Sequence, residues 1–224
     1  ILNNADLRIL DAARDRVIRV VQVNVSAKRT VREVNVKVAG KVQQEKQSIP
    51  VQVEAQWHLQ EQSGTGKLIL GTAPWTWATQ WLPENAWTQR LDAPISGTVR
   101  VEVGGNLQPT RLEAAVSLGV GTVDLGEEGL RRFSGAKLEA AWDGKADTLE
   151  VSAFQATFIS GLEVKAHGQL QQLQTTPHGQ VELEVKRLGL VHELNELLKT
   201  RMPSLQVSAR GPQNEQRIGA VAAT

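Results

Sequence analysis

Val34, Val36 and Val38 alternate with Glu33, Asn35 and Lys37, and the same two-residue period recurs along most of the chain. Val21, Val23 and Val25 carry it first. Val51, Val53, Ala55 and Trp57 follow, then Val99, Val101 and Val103, and Leu112, Ala114, Val116 and Leu118. Later runs are Leu138, Ala140 and Trp142; Leu149, Val151 and Ala153; Leu162, Val164 and Ala166; and Val181, Leu183 and Val185. The positions between them are mostly charged, amide or small polar. A period of two puts successive side chains on opposite faces of a strand, so one face is apolar and the other wet. Parallel sheets are covered on both faces and read as continuous apolar runs, so this alternation favours antiparallel pairing. At ordinary strand lengths it predicts roughly ten to twelve strands. The expected fold class is mainly β: a curved, predominantly antiparallel sheet, as an open groove or a sandwich, with one or two short helices.

Gly104-Gly105-Asn106 and Asp143-Gly144-Lys145 lie between alternating runs and read as hairpin turns. Gly40, Gly64, Gly66, Gly161 and Gly168 read as further breaks. After Ala153 the apolar parity shifts to Phe154, Ala156 and Phe158, as a β-bulge or a strand buried on both faces would produce. Val36–Gln44 is similar to Val164–Gln172, and Leu112–Ala115 to Leu138–Ala141. That points to a sheet grown from repeated units, or to amphipathic strands converging on few residue types.

Two segments leave the strand pattern. Pro74–Trp87 holds Trp75, Trp77, Trp81 and Trp87, four of the six tryptophans. Trp77 and Trp81 share one helical face, Pro74 suits a first turn, and Pro83 ends the helix or starts another turn. This segment reads as a plug on the sheet's apolar face, or alternatively as a lipid contact through amphipathic indoles. A carbohydrate platform fits less well, because Tyr is absent and aromatics make up 4% of residues. Leu190, Leu194, Leu197 and Leu198 form a second helical stripe, within Leu190–Met202 and stopped by Pro203. Residues 211–224 read as a tail without regular structure.

The chain's 224 residues suit a single β-rich domain over 1–224, long enough to fold without disulfide or metal. It has no Cys, hence no thiolate zinc site. Its net charge of +1 gives no electrostatic reason to expect nucleic acid or a polybasic membrane patch. No apolar run approaches the roughly 20 residues of a membrane helix. The opening Ile1-Leu2-Asn3-Asn4, without Met or a signal-peptide pattern, reads as a segment of a longer protein or a processed chain.

Chemistry-bearing patterns are not found. His58, His167, His178 and His192 lack zincin-type spacing and read as surface residues. Glutamates such as Glu33, Glu54, Glu102 and Glu139 are spread along polar strand faces among Lys, Arg and Gln, not marked as a facing glycosidase pair. Gly119-Val120-Gly121 is too short for a phosphate loop, and Ser96-Gly97 and Ser134-Gly135 lack a nucleophile elbow. The chain is expected not to be an enzyme, with no catalytic residue, cofactor or metal.

Ile1-Leu2-Asn3-Asn4-Ala5-Asp6-Leu7-Arg8-Ile9-Leu10-Asp11 resembles a segment of AsmA-like bacterial envelope proteins, with one Asn more than their "I-x-N-A-x-(L/V)" strand. Leu91-Asp92-Ala93-Pro94-Ile95-Ser96-Gly97 resembles their "L-D-x-P-(L/V/I)-x-G" entry to a hairpin array, and Val164–Leu170 their strand ending in "G-x-L". The resemblance covers about residues 1–200 and is nearest to the YhdP/TamB-like branch. It implies a segment of a protein crossing the periplasm of a Gram-negative bacterium and anchored in the inner membrane. It also implies phospholipid transport toward the outer membrane along an apolar groove, with a role in envelope integrity. The implied partners are phospholipid or another acyl lipid and adjacent domains of the parent chain, with membrane contact only through other parts of that protein.

The residues are compatible with that implication. Covering one methylene is worth about 0.8 kcal/mol, so an acyl chain of about 16 carbons needs about 12 kcal/mol of apolar cover. A long apolar trough offers this and a small polar pocket does not. Val36, Val53, Trp57, Val101, Val116, Trp142, Val151 and Val164 are the expected lipid-facing residues. The competing expectation is a filled sandwich of the same residues, stacking on neighbouring domains as a structural module. An open sheet would leave free edges, expected by position at Val21–Val25 and Val181–Val185.

Overall fold

The structure, a computed structural model, describes residues 1–11, 16–44, 47–80, 89–126, 129–172, 178–186 and 205–210. In chain order the elements are β1 (Leu2–Asp11), β2 (Arg16–Arg29), β3 (Glu33–Gln44), β4 (Gln47–His58), β5 (Ser63–Ala73), α1 (Trp75–Thr79), β6 (Leu91–Asp92) and β7 (Ile95–Val103). They continue with β8 (Pro109–Leu118), β9 (Gly121–Asp124), β10 (Leu130–Asp143), β11 (Thr148–Phe158), β12 (Glu163–Gln171), β13 (His178–Lys186) and β14 (Leu205–Arg210). The protein is mainly β and predominantly antiparallel, as the alternation predicts. Two compact units are formed: Ile1–Thr88 with Pro94–Leu112, and Gln89–Ala93 with Glu113–Thr224.

In the first unit β1, β2, β3, β4, β5 and β7 lie side by side in that order, each antiparallel to the next. β7 turns into the start of β8 at the predicted Gly104-Gly105-Asn106, where the Leu107 amide donates to the Gly104 carbonyl at 2.9 Å. β3 and β4 pair from Glu33↔His58 to Gln44↔Gln47 without a slip. Parity is thus preserved, since a one-residue slip would move every valine to the polar face.

In the second unit β10, β11, β12 and β13 are antiparallel neighbours, β14 joins β13 in parallel, and the short β6 and β9 extend from β10. The Asp143 carboxylate accepts from the Lys145 and Ala146 amides at 2.8 and 3.0 Å, closing the predicted turn after β10. The parity change is a β-bulge, and it falls one step earlier than the sequence pattern places it. Val151 pairs with Ala140 and Gly168, while Phe154 pairs with Leu138 and Ala166. Ser152 and Ala153 form the bulge, and Ala153 lies opposite Glu139 in the polar row rather than on the apolar face.

Several other expectations need correction. Gly40, Gly64, Gly66 and Gly168 lie inside strands, and only Gly161 of that group sits in a turn, with φ of 81°. The reason is a close approach by neighbours. A Cβ on Gly64 would stand 2.6 Å from Cε3 of Trp57, whose ring crosses the strand there. On Gly168 it would collide with the Gln180 carbonyl. Val21–Val25 is not an edge, because β2 lies between β1 and β3, and Val181–Val185 is not one either, because β13 lies between β12 and β14. The Pro74–Trp87 helix is described only as α1, five residues long, with Pro74 at its N-cap. Trp81, Pro83, Trp87, Leu190–Met202 and the tail after Arg210 lie outside the described residues.

Candidate functional site

The first unit's apolar face can be followed row by row across its hydrogen-bonded register. Val25, Val38, Val53, Leu68 and Val99 are successive cross-strand partners. Beside them run Ala27, Val36, Ala55, Gly66 and Val101, and then Val34, Trp57, Gly64 and Val103. In the other direction lie Gly40, Val51, Leu70 and Gly97, followed by Val20, Val42 and Ile49. The strip from Ile49 to Trp57 is about 26 Å long at the usual rise per strand residue. One leaflet's acyl chains span about 15 Å, half of a bilayer's hydrocarbon core.

One end of this strip is closed. Val42, Ile49 and Ala73 are buried, with Ile18, Val20, Val51, Leu70, Ile95 and the α1 residue Trp77 packed against them. Among the described residues of the predicted plug, Trp77 packs over that end. Further along the same face Val53 is 38% and Leu68 40% exposed. Both belong to strands flanked on each side, where a covering layer would leave such residues buried. The adjoining floor is low, because Ala55 is small and Gly66 has no side chain. Trp57, lying over Gly64, bounds the far end.

Of the residues expected to face lipid, Val36, Val53, Trp57 and Val101 are therefore brought onto one face of the first unit. In the second unit Trp142, Val151 and Val164 also share a face, opposite Leu149, Ala140 and Ala156 respectively. Val164 is buried with Leu162 and Val185, under Phe154 and Phe158, so it forms core rather than open surface. Phe133 meets Phe158 edge-to-face, centroids 6.4 Å apart. Val116 is half-buried on β8. Leu68, Leu70 and Val99 complete the face in the first unit. The alternation is not legible over β5, because Gly64, Gly66 and Gly71 interrupt it and Leu68-Ile69-Leu70 hides its parity.

The opposite face of the first unit is charged and hydrated. Lys37, Glu54, Lys67 and Arg100 form one cross-strand row, and Lys37 Nζ donates to Glu54 at 3.0 Å. A depression of about 360 Å³ on this side is lined by both signs of charge, including Lys37, Glu54, Lys67, Arg100 and Glu102. Among the described residues no polar or charged side chain is buried, and no three His, Asp or Glu cluster as metal ligands. His167 meets Glu182 at 3.4 Å with both exposed. Hydrogen bonds from Gln56 and Asn35 hold Glu33 below the ordinary value of 4.5, and Lys37 does the same for Glu54. A carboxylate with a depressed pKa in the folded state stabilises the fold above its unfolded pKa, and that contribution is lost as pH falls through the folded value. Glu54→Gln should therefore melt below the wild type at neutral pH, with the gap closing under acid conditions below 4.5. Paired thermal melts at the two pH values check this.

No protein-family model, curated protein or solved structure matches the chain.

Proposed function

We propose that this chain is a non-catalytic lipid-carrying segment whose uncovered apolar face shields the acyl chain of a phospholipid. In this reading it is part of a larger AsmA-like envelope protein in the periplasm of a Gram-negative bacterium. The parent protein is anchored in the inner membrane by its other parts, and the segment serves transport toward the outer membrane and envelope integrity. The observation that carries the proposal is the exposure of Val53 and Leu68 on interior strands, in a row that is apolar from Val25 to Val99. Apolar area of this kind is unfavourable in water at about 25 cal/mol per Å², and contiguous apolar patches mark binding surfaces. Small side chains on the floor, Ala55 and Gly66, leave depth for a chain to lie between Trp57 and the Trp77 end. The charged face supports the non-enzymatic part of the reading. Glu33 and Glu54 are shifted downward, opposite to what a general acid needs at neutral pH.

The test is gentle purification followed by native mass spectrometry and lipid extraction, with re-uptake from phosphatidylethanolamine/phosphatidylglycerol vesicles after delipidation. Acyl lipid should accompany the chain and return on incubation. A chain that purifies lipid-free and takes up none would sink the proposal and favour a structural module whose apolar face is covered by neighbouring domains.

A further inference from the structure

The loops joining β2 to β3, β4 to β5 and β7 to β8 lie at one end of the first unit, because alternate hairpins of an antiparallel sheet turn on the same side. Each is flanked by described strands on both sides. They are contiguous: the Leu59 amide donates to the Arg32 carbonyl at 2.8 Å, and a Cβ on Gly105 would stand 3.5 Å from the Gln62 carbonyl oxygen. The turn after β2 is fixed by Thr30, whose amide donates to the Glu33 carbonyl at 2.8 Å and whose hydroxyl accepts from the Glu33 amide at 3.1 Å. Val31 stands at its apex, 89% exposed. Leu107, in the loop after β7, is 69% exposed and has φ of 61°, a left-handed conformation that suits Gly, Asn or Asp and disfavours leucine. Backbone preference does not account for Leu107, and packing accounts for neither residue. Residues 28–32, 59–62 and 104–108 carry three cations, Lys28, Arg29 and Arg32, against one carboxylate, Glu61. All three cations are exposed. Arg29 lies opposite Val34, so it ends the apolar row that contains Trp57 and Val103.

We propose that this loop end of the first unit docks on an anionic lipid surface, with Val31 and Leu107 entering the interface and Lys28, Arg29 and Arg32 meeting lipid phosphates. Apolar apices flanked by cations match a layer that is apolar within and anionic at its face. The two apices stand on separate loops, with the polar Gln60-Glu61-Gln62 between them. A fluid bilayer accepts such separate protrusions, whereas a protein surface would need two matched sockets. Interfacial binding grows with the apolar area inserted and with attraction to anionic lipid. Each Lys or Arg held near such a surface contributes about fivefold to partitioning. Docking here sets the Trp57 end of the apolar face against the bilayer, a position that suits an indole. The contact stands on the loops alone and does not depend on whether the apolar face carries lipid.

Vesicle flotation reads the contact directly. The chain should float with phosphatidylglycerol/phosphatidylethanolamine vesicles at low salt, and less with phosphatidylcholine vesicles or at high salt. Arg29→Gln combined with Arg32→Gln should lower the partition coefficient about 20-fold, and Val31→Asp combined with Leu107→Asp by about tenfold or more. Val120→Asp and Ile159→Asp, at apolar positions of the second unit that are 59% and 57% exposed, should float as the wild type does. A second readout does not depend on these variants. The chain has no Cys, so Val31→Cys, Leu107→Cys and Ile159→Cys can each carry one environment-sensitive fluorophore. Emission should shift to the blue on adding anionic vesicles for the first two and stay unchanged for the third. Flotation unchanged in both double variants, or equal shifts at all three positions, would overturn the proposal. Absence of flotation would overturn it as well and point to a protein partner. Lipid bound to the vesicle-free chain is measured separately: flotation without bound lipid removes the lipid-carrying reading alone, and bound lipid without flotation removes the docking alone.

Discussion

Ile49→Ala lowers the stability of the first unit by about 2–5 kcal/mol, the range for removing most of a fully buried aliphatic side chain and leaving a cavity. Ile49 is 1% exposed and sits among Val42, Ala73 and the ring of side chains that includes Trp77. The cluster around it is held by five strands, β2, β3, β4, β5 and β7, and by α1, so little collapse into the void is available. The same unit is expected to tolerate Val53→Ala far better, since that side chain is already partly in water. Chemical denaturation of the two variants side by side checks the contrast. Equal losses would mean that the apolar face is covered along its whole length.

Val53→Asp and Leu68→Asp are expected to keep the fold while abolishing lipid uptake. In a filled core either change would strand an unpaired carboxylate and unfold the unit. At 38% and 40% exposure the new carboxylate reaches water, so the loss should stay near the ~1 kcal/mol span of strand preferences. The charge would lie in the middle of the apolar row, where an acyl chain cannot pass without desolvating it. The measurement is paired: thermal melting, and bound lipid by mass spectrometry after incubation with vesicles. Loss of folding in both variants, or lipid uptake unchanged in both, would remove the open face as the lipid site.

The two-residue period determined a great deal here. It set strand identity, antiparallel pairing and the split between a valine-rich face and a charged face, because backbone pleating makes side-chain direction follow residue parity. It also marked the turns at Gly104–Asn106 and Asp143–Lys145 and placed Val36, Val53, Trp57 and Val101 on a common face. Other features depended on what each strand meets in space. Gly64 reads as a break in the sequence and is a strand position, since the Trp57 ring and the Gln56 carbonyl across the strand exclude a Cβ there. β5 was illegible because its glycines erase the alternation, yet it supplies Leu68, the most exposed residue of the central apolar row. The bulge at Ser152–Ala153 follows from how β11 registers against β10 and β12. Strand order puts β2 inside the sheet, between β1 and β3. Parity carries no information about a second layer: Val164 and Val53 occupy equivalent places in the pattern, and packing neighbours alone bury the first and leave the second open to solvent.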